Sequence, residues 1–161
     1  MNKENFLGNI NLNKIKKYAL SRFKIQSSLH GLSHWERVFE NGLILAEADS
    51  RVNKKIVALF AYLHDCEREN DNSDSLHGVR AADELYNISY YLLEYLSEEE
   101  FELLYKAIFY HDSGKTTKNP TIGACFDADR LDLTRCGITL NPDYMSTQKG
   151  KEIAINGGFE D

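Results

Sequence analysis

Eight consecutive apolar residues, Ile56 to Leu63, run without a break into the doublet His64-Asp65. A stretch that is apolar on every side must be covered on every side, so it predicts a central helix from about Asn53 to Asp65 with the rest of the chain packed around it. The doublet then brings an imidazole and a carboxylate together at the edge of the core. The run is far shorter than the ~20 apolar residues of a membrane-spanning helix, and the N-terminal stretch lacks a hydrophobic signal core, so no membrane partner is expected.

The flanking sequence reads as further helices, and an all-α single-domain bundle is the expected fold. Leu12, Ile15, Tyr18, Ala19 and Phe23 recur at helical spacing between Leu12 and Ile25, with Lys14, Lys16, Lys17 and Arg22 largely between them. A second helix is predicted to open at Ser33, where Ser33 and Glu36 spell a capping box and His34 takes the first position. The polar segment Glu67 to Ser75 reads as a loop leaving the central helix, with Asp74 as N-cap of a helix carrying His77 and Arg80.

Ser97 and Glu100 spell another capping box. Phe101, Leu104, Tyr105, Ile108 and Phe109 form the apolar stripe of the helix that follows, with His111 on its inward edge. Thr116 to Gly123 reads as a loop and Asp127 to Arg135 as a short helical stretch, with Pro120 and Pro142 both outside the core helices. No strand-like alternation of useful length interrupts this pattern. Residues 1–161 are thus expected to form one domain with a motif-bearing core over 30–136, and residues 137–161 a weakly patterned, loosely packed terminal arm.

At 161 residues and 42% hydrophobic, the chain fits the ~100–200 residues of one domain and can bury a core. Its formal charge of −6 is unevenly spread: residues 1 to 24 hold six Lys or Arg against Glu4 alone, and residues 66 to 102 hold eleven acids against Arg68 and Arg80. That distribution speaks against a nucleic-acid surface, and the basic start reads as a solvated helix face. Cys66, Cys125 and Cys136 make an odd count without CxxC or Cys-His spacing, which indicates neither a disulfide framework nor a zinc knuckle and fits a reducing, cytoplasmic setting.

The histidines add the chemical constraint. His30, His34, His64, His77 and His111, taken with Asp65 and Asp129, write the order H…HD…H…H…D, which suits a buried metal site better than a surface. Imidazole nitrogens with carboxylate oxygens favour a divalent first-row ion, Fe, Mn, Co, Ni or Zn, over a thiolate-seeking one.

Three of these segments resemble the motifs of the HD-domain metal-dependent phosphohydrolase superfamily: His34 within HGLSHWERV, His64-Asp65 at the end of an apolar helix, and Asp129 within DADRLDL. The resemblance spans about His30 to Cys136 and implies a helical bundle of the HD type. It implies His34, His64, Asp65 and Asp129 as metal ligands, with Asp129 preferred to Asp127 because the last ligand of the superfamily typically follows an alanine, here Ala128. Some branches add two histidines and hold two ions bridged by the doublet's aspartate. By that resemblance His77 and His111 would be ligands and Asp65 the bridge, with one or two ions per chain. The alternative for the pair is contact with a substrate phosphate or buried hydrogen bonds, and His30 is expected in the cleft rather than on an ion.

The implied reaction is hydrolysis of a small phosphoester, phosphoanhydride or nucleotide, since a divalent ion lowers the pKa of a bound water from about 15.7 toward ~7 and polarises a phosphoryl oxygen. Asp65 then serves catalysis as well as ligation. Arg68 and Lys115, each following a proposed ligand in a loop, are the expected contacts to a small anionic, phosphorylated substrate. Arg80 and Arg130 have acidic neighbours and read as paired surface residues. Asp132, one helical turn after Asp129, is expected to orient a ligand, accept a proton or pair with Arg130 or Arg135, and Glu67 and Asp112 are the other candidates for proton transfer.

Arg68 stands where nucleotidases of the superfamily often carry a glutamate, which weakens a nucleoside monophosphatase reading. Two other classes remain. Some superfamily members with a similar ligand order are di-iron oxygenases, and a catalytically silent binding module is the third reading, which the intact motifs disfavour. The sequence specifies no oligomeric state.

Overall fold

The computed structural model describes residues 7–27 and 29–160, and their regular structure is helical throughout. Lys3 and Glu4 of the basic N-terminal stretch lie outside the described residues. In chain order the helices are α1 Leu12–Arg22, α2 Leu32–Ala48, α3 Lys54–Leu63, α4 His77–Glu84, α5 Ser89–Leu92, α6 Glu98–Tyr110, α7 Pro120–Arg130 and α8 Gln148–Ile155. Short 3-10 turns follow α4 (Leu85–Ile88) and α7 (Leu131–Cys136), and a third, Pro142–Tyr144, precedes α8. No helix among the described residues is long and apolar enough to cross a membrane.

The apolar run does form the central helix. Asn53 caps α3 by accepting from the N–H groups of Lys55 and Ile56, which have no partner inside the helix. Every residue from Ile56 to Leu63 is at most 1% exposed, because α1, α2, α6 and α7 all pack on α3. Polar side chains tie this shell together. Asn53 donates to Glu100 of α6 at 2.7 Å and its N–H to Thr121 of α7 at 3.0 Å, while Asn41 of α2 reaches the Ala128 carbonyl of α7 at 3.0 Å. The N-terminal ends of α3, α6 and α7 are thereby tied together, and the last turns of α7 are held against the middle of α2.

Local expectations and outcome part at several helix ends. The Ser97–Glu100 capping box forms as the sequence indicates. The Ser33–Glu36 box does not: α2 starts at Leu32 behind Gly31, and Glu36 instead accepts from Lys16 of α1 at 2.8 Å and from the Tyr62 hydroxyl of α3 at 2.7 Å. Partners from two other helices outcompete the local cap. Leu76, not Asp74, is the cap residue of α4, because the Asp74 carboxylate takes the Arg80 guanidinium at 2.7 Å and the Glu69 N–H at 2.9 Å.

The stretch from Thr116 to Gly123 is only partly a loop. Asn119 caps α7 by accepting from the Ile122 N–H, and Pro120 takes the first helical position, where its missing N–H removes no intrahelical bond. Residues 137–160 are not a loose arm either. Leu140, Met145, Ile153 and Ala154 are buried in the same core, and the buried Asp127 carboxylate accepts from the N–H groups of Ser146 and Thr147 and from the Thr147 hydroxyl.

Candidate metal centre

Six side chains from five helix ends converge beside this core. His34 lies in the first turn of α2, His64 caps the end of α3, and Asp65 follows in the turn. His77 opens α4, His111 caps the end of α6, and Asp129 is the penultimate residue of α7. The histidines and Asp65 are buried, whereas the Asp129 side chain is 20% exposed, so the cluster opens on the α7 side.

The distances divide the cluster into two groups that share one residue. His34 Nε2 and His64 Nε2 are 3.2 Å apart, and each lies 3.5 Å from Asp65 Oδ2. Asp129 Oδ1 completes the first group at 3.1 Å from His34 Nε2 and 3.5 Å from His64 Nε2. In the second group, His77 Nε2 and His111 Nε2 are 2.9 Å apart and lie 3.1 and 3.5 Å from the other Asp65 oxygen, Oδ1. Around an ion with bonds of ~2.1 Å, neighbouring donor atoms sit ~3.0 Å apart in an octahedron and ~3.4 Å in a tetrahedron. The spacing of both groups therefore fits a first-row ion.

The outer nitrogens explain why the inner ones are free to bind. His34 Nδ1 is 2.7 Å from Asp132 Oδ2, His64 Nδ1 is 3.0 Å from the Ala61 carbonyl, and His77 and His111 Nδ1 are each 2.6 Å from the carbonyls of Asp74 and Ile108. These oxygens only accept, so each Nδ1 carries the proton and each Nε2 presents a lone pair. At α3 and α6 the same bonds satisfy carbonyls in the final turn. Four imidazole lone pairs and two carboxylates thus face one another without a donor among them. A cation among them would relieve that repulsion, and the donor groups lie close enough together to hold one.

The carboxylates hold their charge. Burial would raise the Asp65 carboxyl, but His64 and the neighbouring histidines keep it well below the usual carboxylate range. Burial is likewise outweighed at Asp129, where His34 and His64 hold the carboxyl down. Burial would lower His34, yet the negative carboxylates of Asp129 and Asp132 beside its ring raise it.

The remaining candidates separate clearly. Asp132 is committed on both oxygens, to His34 and to Arg37 Nε at 2.8 Å, so it orients a histidine; its carboxyl, which burial would raise, is lowered by the same two partners. Glu67 is held by Arg22 at 2.5 Å, and Arg80 clamps Asp74 and the Glu67 carbonyl. Arg68 is 8% exposed, with Nε and Nη1 buried and lacking hydrogen-bond partners. His30 Nδ1 lies 3.5 Å from Asp65 Oδ2, at the edge of the cluster.

Two placements differ from the sequence expectation. Lys115 is exposed and lines an outer groove with Tyr110, Thr117 and Phe126, while its neighbour Gly114 lines the cavity that adjoins Asp129 and His111. Arg130 is no paired surface residue: it is 7% exposed and lines that cavity together with Asp112. Its acidic neighbours misled because Asp127 and Asp129 are turned to other partners. No family model, curated protein or solved structure matches the chain, so the geometry and the motif order stand alone.

Gly78 gives a test of the second group. A β-carbon at this position of α4 would stand 2.9 Å from the Ile108 carbonyl oxygen and 3.2 Å from His111 Cε1. A backbone carbonyl at a helix end cannot yield easily, so Gly78→Ala is expected to push His77 and His111 apart and destabilise the fold by about 1–3 kcal/mol. Metal titration of the purified variant should show about tenfold or greater weakening at one ion and wild-type affinity at the other. Unchanged affinity at both would disprove the coupling.

Proposed function

We propose that this chain is a metal-dependent phosphohydrolase of the HD-domain type that cleaves a small phosphate ester. The observation that carries the reading is the division of Asp65 between two donor groups, with every histidine held by its outer nitrogen so that its inner one faces the centre. The H…HD…H…H…D order supports it, since its members meet at one place. His34, His64, Asp65 and Asp129 would hold one ion, and Asp65, His77 and His111 a second. Bound there, a divalent ion supplies an activated water at neutral pH and polarises a phosphoryl oxygen.

The rest is done by the chain. Asp132 and the backbone carbonyls keep the imidazoles in their donor tautomer, so no reorganisation is needed when substrate arrives. Asp112 is the one proton-transfer candidate that lines the cavity, Glu67 and Asp132 being tied to arginines. In the reaction a water oxygen bonds to phosphorus and the ester P–O bond breaks. The leaving oxygen keeps the electron pair and takes a proton while the attacking water gives one up, and Asp112 is placed to pass the proton between them. Arg68, three residues after Asp65 and with two unpartnered buried nitrogens, is a further candidate to meet an anion.

Nitrogen-and-carboxylate sets also suit iron, which makes a di-iron oxygenase the second reading. The test loads the purified chain separately with Mn, Fe, Co, Ni and Zn and measures phosphate release from a panel of monoesters without O₂. Release that depends on the metal and needs no oxidant is the expected result. Turnover confined to the iron form and strictly dependent on O₂ would replace hydrolysis with oxygen activation.

A further inference from the structure

Beside the centre, on the open side marked by Asp129, lies a cavity of about 450 Å³. His111 and Asp129 form its inner end, so anything bound there meets both donor groups. Leu133, Ile138, Leu140 and Met145 give it an apolar wall, three of them contributed by the segment that follows the 3-10 turn after α7. A cavity of this size and lining is typical of a site for a small organic molecule.

Arg130 supplies the polar feature. Its Nη1 donates to the Tyr144 carbonyl at 2.7 Å, and the guanidinium stands 5.0 Å from the Phe126 ring, so the group is fixed in place. Its Nη2 is buried without a hydrogen-bond partner. An anionic oxygen is the acceptor that such a pre-positioned guanidinium suits best. The other charged side chains on the cavity are the acids Asp112 and Asp129, and beyond the apolar wall Thr139, Asn141 and Tyr144 add neutral polar groups, so among the described residues the cavity holds no second cationic side chain for a further phosphate.

We infer that this cavity is the substrate chamber and selects monophosphate esters with a compact apolar organic group, Arg130 anchoring the anion and the 138–145 segment holding the organic part. The inference rests on the phosphohydrolase reading and narrows it: diphosphates and longer anhydrides, whose further phosphates would lie along the cavity wall where Arg130 is the one cationic side chain among the described residues, are poor substrates.

The test uses the metal-loaded full chain and two readouts. Calorimetry compares phenylphosphonate, which cannot be hydrolysed, with methylphosphonate, and kinetics compare phenyl phosphate with methyl phosphate and pyrophosphate. Phenylphosphonate is expected to bind roughly tenfold or more tightly than its methyl analogue, the scale of a filled apolar subsite, and phenyl phosphate to have the highest kcat/KM. Leu140→Trp should erase the phenyl advantage by filling the chamber. Ile138→Trp, at the half-exposed rim, does the same with less demand on the core. Arg130→Met should weaken both phosphonates about tenfold or more with metal content unchanged.

Equal affinity for the two phosphonates, preference for pyrophosphate, or an Arg130→Met variant that binds like wild type would overturn the inference even if phosphate is released. Conversely, phenylphosphonate binding that depends on Arg130 and Leu140, in a protein that hydrolyses no ester, would keep the chamber and remove the phosphohydrolase reading.

Discussion

Asp65→Ala is expected to strip the centre of all bound metal, taking the content measured by elemental analysis to roughly a tenth of wild type or less. Losing a partner that merely orients a ligand costs about 10–100-fold in metal affinity, and a shared ligand costs more because both ions depend on it. Asp65 Oδ2 stands with His34 and His64, and Oδ1 with His77 and His111, so one substitution removes a donor from each group. It also removes one of the two carboxylate charges that make a cation favourable among four imidazoles. The helices should persist, since α3 is held by its apolar faces rather than by the doublet.

Thermal unfolding gives the same prediction a second readout. An ion present at about 100 times its dissociation constant stabilises the folded state by about 2.7 kcal/mol, and each kcal/mol moves the midpoint by about 2–4 °C in a chain of this size. A chelator should therefore lower the wild-type midpoint by roughly 5–10 °C and leave Asp65→Ala nearly unmoved. An Asp65→Ala protein that still holds one ion at wild-type affinity would show that the carboxylate is not shared.

Different parts of this molecule were legible for different reasons. The central helix could be read because a run that is apolar all round has one outcome in a small helical chain, and α3 is buried along that whole run. The Ser97–Glu100 cap could be read because both partners lie in the same turn. Ser33–Glu36 has the same local pattern, yet Glu36 is claimed by Lys16 and Tyr62, whose proximity exists only after α1, α2 and α3 have packed. The C-terminal segment was misjudged likewise. Its apolar residues Leu140, Met145 and Ile153 are too widely spaced for a periodic signal, and its order comes from the Asp127 carboxylate on α7.

For the centre, the order of histidines and aspartates indicated which residues could meet, and all six do come together. Roles set by orientation were another matter. Arg130 looked paired because Asp127 and Asp129 are its neighbours in sequence, but a helix sends those carboxylates to Thr147 and to the histidines, which leaves the guanidinium for the cavity. Lys115 looked close because it follows His111 by four positions, and the turn after α6 carries it to the outer groove.

Replacing His77 and His111 together is the second large effect, and it decides how many ions the centre holds. The expected content falls from two ions per chain to one, because the second group keeps only Asp65 Oδ1 while the first retains His34, His64, Asp65 Oδ2 and Asp129. Glutamine at both positions tests the point better than alanine alone: His111 packs against the Phe60 and His64 rings, and a void there would disturb a histidine of the first group. A glutamine pair that drops to one ion, with the remaining affinity within about threefold of wild type, supports two separate groups; a change of that size is under 1 kcal/mol. There is a sharper rival to exclude, since His64, His111 and Asp129 also lie close enough to hold an ion among themselves. If a single ion sits there, wild-type protein carries one and the double variant loses it, because His111 is then indispensable. One ion in both proteins would instead leave His77 and His111 free of metal, with His111 presented to whatever enters the cavity beside Asp129.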